Sequence, residues 1–269
     1  RATTVKRLLR EPRPDCLSED WLTLFFLTGG VPHYVKAMLE AGATDAAATL
    51  RFALQPDGLL MREGERILRE EFRDDCAVYF EMLARIASGV TRRSDLIASF
   101  KERNVESQLY KLEHHFRLIR REEPLGGAAN NRGYRFALTD PFFVFWFRCI
   151  HLNRALIEQG DEKRILEKSV AALPDILYGA TLRRAWKDCL RENGEYVEVG
   201  SWWDRRGENE IDVAAVNPTE KTILFGEVRR GPDAWNEERL RLRAYSFLAQ
   251  NPKYAGFEPR FACLTPEEL

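Results

Sequence analysis

Two short β-type runs separated by a turn constrain this chain more than any other stretch. They lie in Glu210-Ile211-Asp212-Val213-Ala214-Ala215-Val216-Asn217-Pro218 and in Thr222-Ile223-Leu224-Phe225-Gly226-Glu227-Val228-Arg229. Residues 211–216 and 222–228 are rich in β-branched and aromatic side chains, and Asn217-Pro218 is a turn signal, so the pair reads as a hairpin. Side chains alternate faces along a strand, which puts Glu210 and Asp212 on one face of the first strand. Glu227 and Arg229 share a face of the second in the same way. Pairing brings those faces together and gathers carboxylates and one cation at a sheet edge. Acids at the ends of adjacent strands can hold Mg²⁺, which prefers oxygen ligands and activates water against a phosphodiester. An ordinary hairpin with a solvated polar face has the same pattern, and spacing alone leaves both readings open.

The balance of charge limits the partners. A formal net charge of −1 is not that of a globally basic nucleic-acid binder, so any such surface must be local. At 269 residues the chain is long enough for two or three small domains. Cys16, Cys76, Cys149, Cys189 and Cys263 show no C-x-x-C spacing. That argues against zinc and against a disulfide framework, and it fits reduced thiols in a cytoplasmic protein. No apolar run approaches the roughly 20 residues of a membrane span, so no membrane partner is expected. The start at Arg1, without Met, suggests a fragment or a trimmed chain.

Residues 1–72 read as helices. Ser18 is the expected N-cap of a helix through Trp21, Leu22, Leu24, Phe25 and Phe26,. Thr28-Gly29-Gly30-Val31-Pro32 ends it, with glycines closing one helix and proline opening the next, a tight corner. Residues 73–158 read as a winged helix: helices near 75–87 and 94–100, and a third carrying Val105, Leu109, Leu112 and Phe116 on its buried stripe,. A strand at 118–121 and another at 134–138, joined through glycines and asparagines, form the wing.

Such a module suits a DNA groove, with basic side chains positioned on phosphates and polar ones reaching bases. The expected DNA-contacting residues are Arg93, Gln108, Lys111, His114, Arg120, Arg121 and Arg132. Residues 85–135 hold eleven Lys/Arg against six Asp/Glu, a local basic excess that supports nucleic-acid contact. Winged helices also serve as protein-binding modules, and Glu106 and Glu113 on the third helix favour that alternative. After the wing, Asp140-Pro141 starts a helix dense in Phe142, Phe143, Phe145, Trp146 and Phe147, which reads as core or domain interface.

Leu27-Thr28-Gly29-Gly30-Val31-Pro32-His33-Tyr34-Val35 resembles the helical lid of archaeal-type ATPases of the AAA+/STAND lineage. The segment from Tyr134 to Arg148, with Asp140-Pro141-Phe142, is similar to the stretch that follows the winged helix in those proteins. The resemblance implies that Gly29, Gly30 and Pro32 help form a nucleotide pocket. The chain contains no G-x-x-x-x-G-K-[ST] loop,. ATP binding would therefore require an ATPase core upstream of Arg1, and hydrolysis is not expected of this chain by itself.

Residues 159–269, with Gly200-Ser201-Trp202-Trp203, resemble the C-terminal domain of that family, long catalogued without known function and similar to the restriction-endonuclease-like PD-(D/E)xK fold. A helix from Pro174 or Asp175 to about Arg191 is expected first, then strands and a further helix that make a mixed α/β sheet. By the resemblance Asp212, Glu227 and Arg229 stand at the catalytic positions, with Mg²⁺ held by Asp212 and Glu227. Arg229 stands where the family has Lys, and an arginine does not give up its proton to serve as a base, though it can hold a phosphate. The family's helix glutamate falls at Tyr178-Gly179, where glycine brings no ligand; Glu210 is the candidate replacement ligand.

The expected fold class is mainly α plus α/β. It comprises a helical AAA+ lid (1–72), a winged helix-turn-helix with an aromatic linker helix (73–158), and a restriction-endonuclease-like mixed-sheet domain (159–269). Two functions remain open. The chain is either the DNA-binding effector half of an ATPase with a Mg²⁺-dependent nuclease, or a non-catalytic module for DNA holding, autoinhibition or homo-oligomer contacts.

Overall fold

A computed structural model describes residues 2–55, 58–72, 76–101, 103–127 and 133–269. It is a mixed α and β protein whose largest sheet has four strands in mixed orientation. The chain folds as two units. One gathers Thr4–Glu122 with Tyr134–Pro174, and the other gathers Arg1–Thr3, Glu123–Gly133 and Asp175–Leu269.

In the first unit the helix Ser18–Thr28 is buried from Asp20 onward, because its sequence is apolar nearly all round and has no face to give to water. Ser18 is its first residue rather than its cap. Leu17 precedes the helix with no side-chain acceptor, and the Asp20 carboxylate instead accepts the Leu17 backbone N–H at 2.9 Å. Gly29 closes the helix in the left-handed region at φ 61°, and Pro32 opens the helix Pro32–Glu40.

The aromatic segment completes that core. Asp140 accepts the Phe142 N–H at 2.9 Å and starts the helix Pro141–Phe145, which continues as a π-helical turn Trp146–Ile150. Phe145 meets Phe26 edge-on at 5.9 Å and Phe142 lies 5.8 Å from Tyr34. A Cβ on Gly29 would come within 2.2 Å of Asp140 Oδ1, so the glycine corner and the Asp-Pro helix start are one packed joint. Gly64 makes a second close approach: a Cβ there would lie 2.4 Å from the Trp146 ring, whose Nε1 donates to Met61 O at 3.1 Å.

The elements expected to form a winged helix follow in the same unit. Helices Cys76–Ala87, Arg93–Ala98 and Glu106–Tyr110 precede strands β1 (Ile119–Glu122) and β2 (Arg135–Leu138), which pair antiparallel. A bridge Arg92↔Arg135 and the Phe136 N–H to Thr91 O bond of 2.7 Å add a third short edge. The third helix widens into a π turn over Lys111–His115, a change that hydrophobic spacing did not announce.

The second unit is built on the sheet β3 (Glu198–Trp203), β4 (Glu210–Asn217), β5 (Thr222–Val228) and β6 (Glu258–Leu264), in that spatial order. The first three are antiparallel, and β6 joins β5 in parallel after the crossover helix Glu237–Gln250, as a parallel pair requires. Asn217 Oδ1 accepts the N–H groups of Thr219 and Glu220 at 3.1 and 3.0 Å, which builds the hairpin turn from the side chain. Val213 to Val216 are all buried, so the middle of β4 is covered on both faces. Trp202, Phe225, Leu240 and Phe247 form the core of this unit. Trp203 is also buried, and its Nε1 donates to Gly133 O at 2.7 Å.

Two expectations need correction. Pro174 does not start a helix: it lies near the end of Glu162–Ile176, which gives way to a π turn Leu177–Thr181 and then the helix Leu182–Asn193. And residues 123–127, expected at the tip of the wing, belong to the second unit. There the Leu125 N–H donates to Ser201 O at 2.8 Å, and the side chain packs on the core.

Gly64→Ala tests the first unit's packing. Alanine raises helix propensity by about 1 kcal/mol, yet the clash with Trp146 is expected to destabilise the protein by about 1–3 kcal/mol. A urea denaturation midpoint that stays level or rises would contradict the close packing.

Candidate functional site

Strand alternation places Glu210 and Asp212 on one face of β4, and a single guanidinium meets both. Arg183, in the first turn of the helix Leu182–Asn193, places Nη1 2.9 Å from Glu210 Oε1 and Nη2 3.2 Å from Asp212 Oδ1. The second Asp212 oxygen accepts the Val228 N–H at 3.0 Å. Continuing the Val213↔Gly226 register by one step sets Asp212 opposite Glu227, so the hairpin brings the two expected catalytic acids side by side. Glu227 is buried, with Arg229 Nη2 at 2.5 Å and Arg243 Nη1 at 3.7 Å.

The face therefore carries three carboxylates and three guanidiniums. Lys187, one turn after Arg183, donates to Ser201 Oγ at 3.3 Å, and that hydroxyl donates to the Asp212 carbonyl at 2.6 Å. The helix thus reaches Asp212 twice, through its carboxylate and through its backbone. Arg183, Arg243 and Lys187 were not anticipated from the sequence. The only trace they leave there is that residues 183 and 187 are four apart on a helix and so share a face.

Mg²⁺ requires several free oxygens in near-octahedral array. Here each of the three expected ligands, Glu210, Asp212 and Glu227, already faces a guanidinium. Among the described residues no group of three or more His, Cys, Asp or Glu is placed to hold a metal ion. The residues as arranged do not fit the ion. Gly179 lies at a kink in the π turn with φ −97° and ψ −106°, and it supplies no ligand.

The expected DNA-contacting residues separate into groups. Lys111 and His114 are exposed on the third helix, and the His114 ring lies 4.4 Å from that of Tyr110. Tyr110 is itself 63% exposed, an aromatic that the basic pattern did not pick out. Gln108 is half-buried and its Oε1 is enclosed without a hydrogen-bond partner. It stands four residues before the buried Leu112, on the inward side of the helix. Arg93 is paired with Glu106. Arg120 lies 2.6 Å from Glu122, and Arg121 lies 2.8 Å from Glu113 and stacks over Tyr134. Arg132 lies outside the described residues.

At the Gly29-Gly30 corner, the Gly30 N–H donates to Thr28 Oγ1 at 3.2 Å and the Val31 N–H to Thr28 O at 3.0 Å. Pro32 leads to Tyr34, whose hydroxyl donates to Glu63 Oε1 at 2.8 Å. Burial, then this bond, pushes the Tyr34 phenol up. The Arg66 guanidinium, 2.8 Å away, holds the Glu63 carboxyl below its ordinary value, with help from the Tyr34 hydroxyl and against the opposing effect of burial. No helix among the described residues is long and apolar enough to cross a membrane.

Residues 146–238 match a family model, DUF234, described as archaea bacterial proteins of unknown function. The matched stretch contains Trp202-Trp203, Arg183, Asp212, Glu227 and Arg229. An uncharacterized protein of Methanocaldococcus jannaschii is 25% identical over 263 residues, covering 93% of this chain and 56% of the relative. The chain thus spans about half the length of that relative. No solved structure matches.

The Glu63 cluster has a pH signature. Its folded pKa lies below the ordinary 4.5, so its contribution to stability is present above that value and is lost as pH falls through the lower, folded one. Glu63→Gln is expected to flatten the loss of thermal stability below about pH 4.5. An unchanged slope in the variant would contradict the assignment.

Proposed function

We propose that this chain is the DNA-holding effector region of an archaeal-type ATP-binding protein. In this reading residues 1–72 form the lid, 73–158 a winged helix, and 159–269 a restriction-endonuclease-like domain that keeps the acidic frame of a nuclease without its cutting chemistry. The element order supports the last part: a helix, three antiparallel strands, a crossover helix and a parallel strand, with Asp212 opposite Glu227. The packing of Gly29 against Asp140 supports the lid, since it joins the two segments that carry the ATPase resemblance. An upstream ATPase core as partner, and ATP as its ligand, rest on that resemblance.

One observation carries the choice between cutting and holding. Asp212 and Glu227, which a nuclease needs free for Mg²⁺, are both held by guanidiniums. Arg229 stays charged and cannot accept a proton from water. With each guanidinium of that face already paired to a carboxylate, DNA contact falls to the winged helix. DNA contact by the winged helix is carried by Lys111 and Tyr110 on the third helix, because Arg93 is already engaged by Glu106, and Arg121 and His114 both lie against Glu113. An aromatic beside a basic residue stacks on bases while the charge meets the backbone.

Gel retardation of a duplex, together with incubation of a plasmid with Mg²⁺, tests this reading. The chain is expected to retard DNA at low salt, to lose it as salt rises, and to leave the plasmid intact. Lys111→Ala is expected to weaken binding uniformly and to lower the salt slope by about 1. Cleavage that disappears in Asp212→Asn would replace holding with catalysis. A lack of retardation at about 50 mM salt would leave the protein-interaction reading in its place.

A further inference from the structure

Glu210 and Asp212 stand two residues apart on the same strand face, and like charges so placed repel unless a cation lies between them. Arg183 places one nitrogen on each, at 2.9 and 3.2 Å. The planar fork of a guanidinium suits this bridge, and a compact lysine ammonium does not span it as well. The arrangement is braced from the same helix. Lys187 reaches Ser201, and Ser201 holds the Asp212 carbonyl, so Asp212 is fixed at both ends of the residue. Its remaining carboxylate oxygen takes the Val228 N–H.

We infer that Arg183 is the resident cation of this acidic face, a tethered positive charge standing where a divalent ion would otherwise be held. A tethered cation is present at high effective concentration, so a dissolved metal must displace it to enter. The face therefore needs no divalent metal to balance Glu210 and Asp212. This rests on the nuclease-like reading of the hairpin for the choice of cation position.

The test is Mn²⁺ binding followed by electron paramagnetic resonance on the full chain, a readout independent of DNA retention and of cleavage. Wild type is expected to bind Mn²⁺ weakly. Arg183→Gln exposes the two carboxylates and is expected to bind on the order of tenfold more tightly, or better, since the competing unit charge at close range is removed. The gain is expected to disappear in Arg183→Gln/Asp212→Asn.

Arg183→Lys, which keeps a charge but loses the fork, is expected to fall between wild type and Arg183→Gln. It also serves as the readout if the glutamine variant fails to fold. Wild type binding as tightly as Arg183→Gln overturns the inference, and so does a folded Arg183→Gln, or Arg183→Lys in its place, that gains nothing. Loss of DNA retention with the Mn²⁺ gain intact would instead count against the DNA-holding function alone.

Discussion

Two carboxylates on one face of β4 and a third opposite them on β5 would repel one another at the ends of these two inner strands, and the second unit holds them together by drawing arginines from two helices and a strand end. Arg183 comes from the helix before the sheet, Arg243 from the crossover helix and Arg229 from the end of β5. The sheet and its flanking helices are thereby tied together at these ion pairs. Breaking such a pair by removing one partner costs more than the pair itself contributes, because a partly buried charge is left behind.

The first unit depends on a different constraint, close approach. The Gly29 corner accepts the Asp140 carboxylate at a distance no Cβ would permit. Asp140 caps the aromatic helix whose rings fill the space beside Phe26 and Tyr34. Residues far apart in sequence are thus joined through one capping carboxylate and one missing side chain. The proposed lid and the aromatic segment share a core, and packing against Asp140 shapes the Gly29 corner.

Local chemistry was legible in the sequence where it acts locally. The β-branched runs and Asn217 announced the hairpin, the Gly-Gly-Val-Pro run announced the corner, and Asp140-Pro141 announced the aromatic helix. The alternation that put Glu210 beside Asp212 was also readable. Their partner was not, because Arg183 lies 27 residues earlier on a helix whose other arginines look the same. Gln108 was misplaced because it shares a helical face with the buried Leu112. Pro174 misled because proline near a helix end is compatible with the π turn that follows. The course of residues 123–127 was hidden for the same reason as Arg183: the backbone bond from Leu125 to Ser201 has no local sequence signal.

The most direct measurement of the central claim is DNA affinity by fluorescence anisotropy, with one duplex at fixed ionic strength, in EDTA and then across a Mg²⁺ titration. The same affinity is expected in EDTA and at low Mg²⁺, weakening only as the ion's ordinary screening predicts. Affinity that requires Mg²⁺, or rises with it and vanishes in Asp212→Asn, would contradict the account.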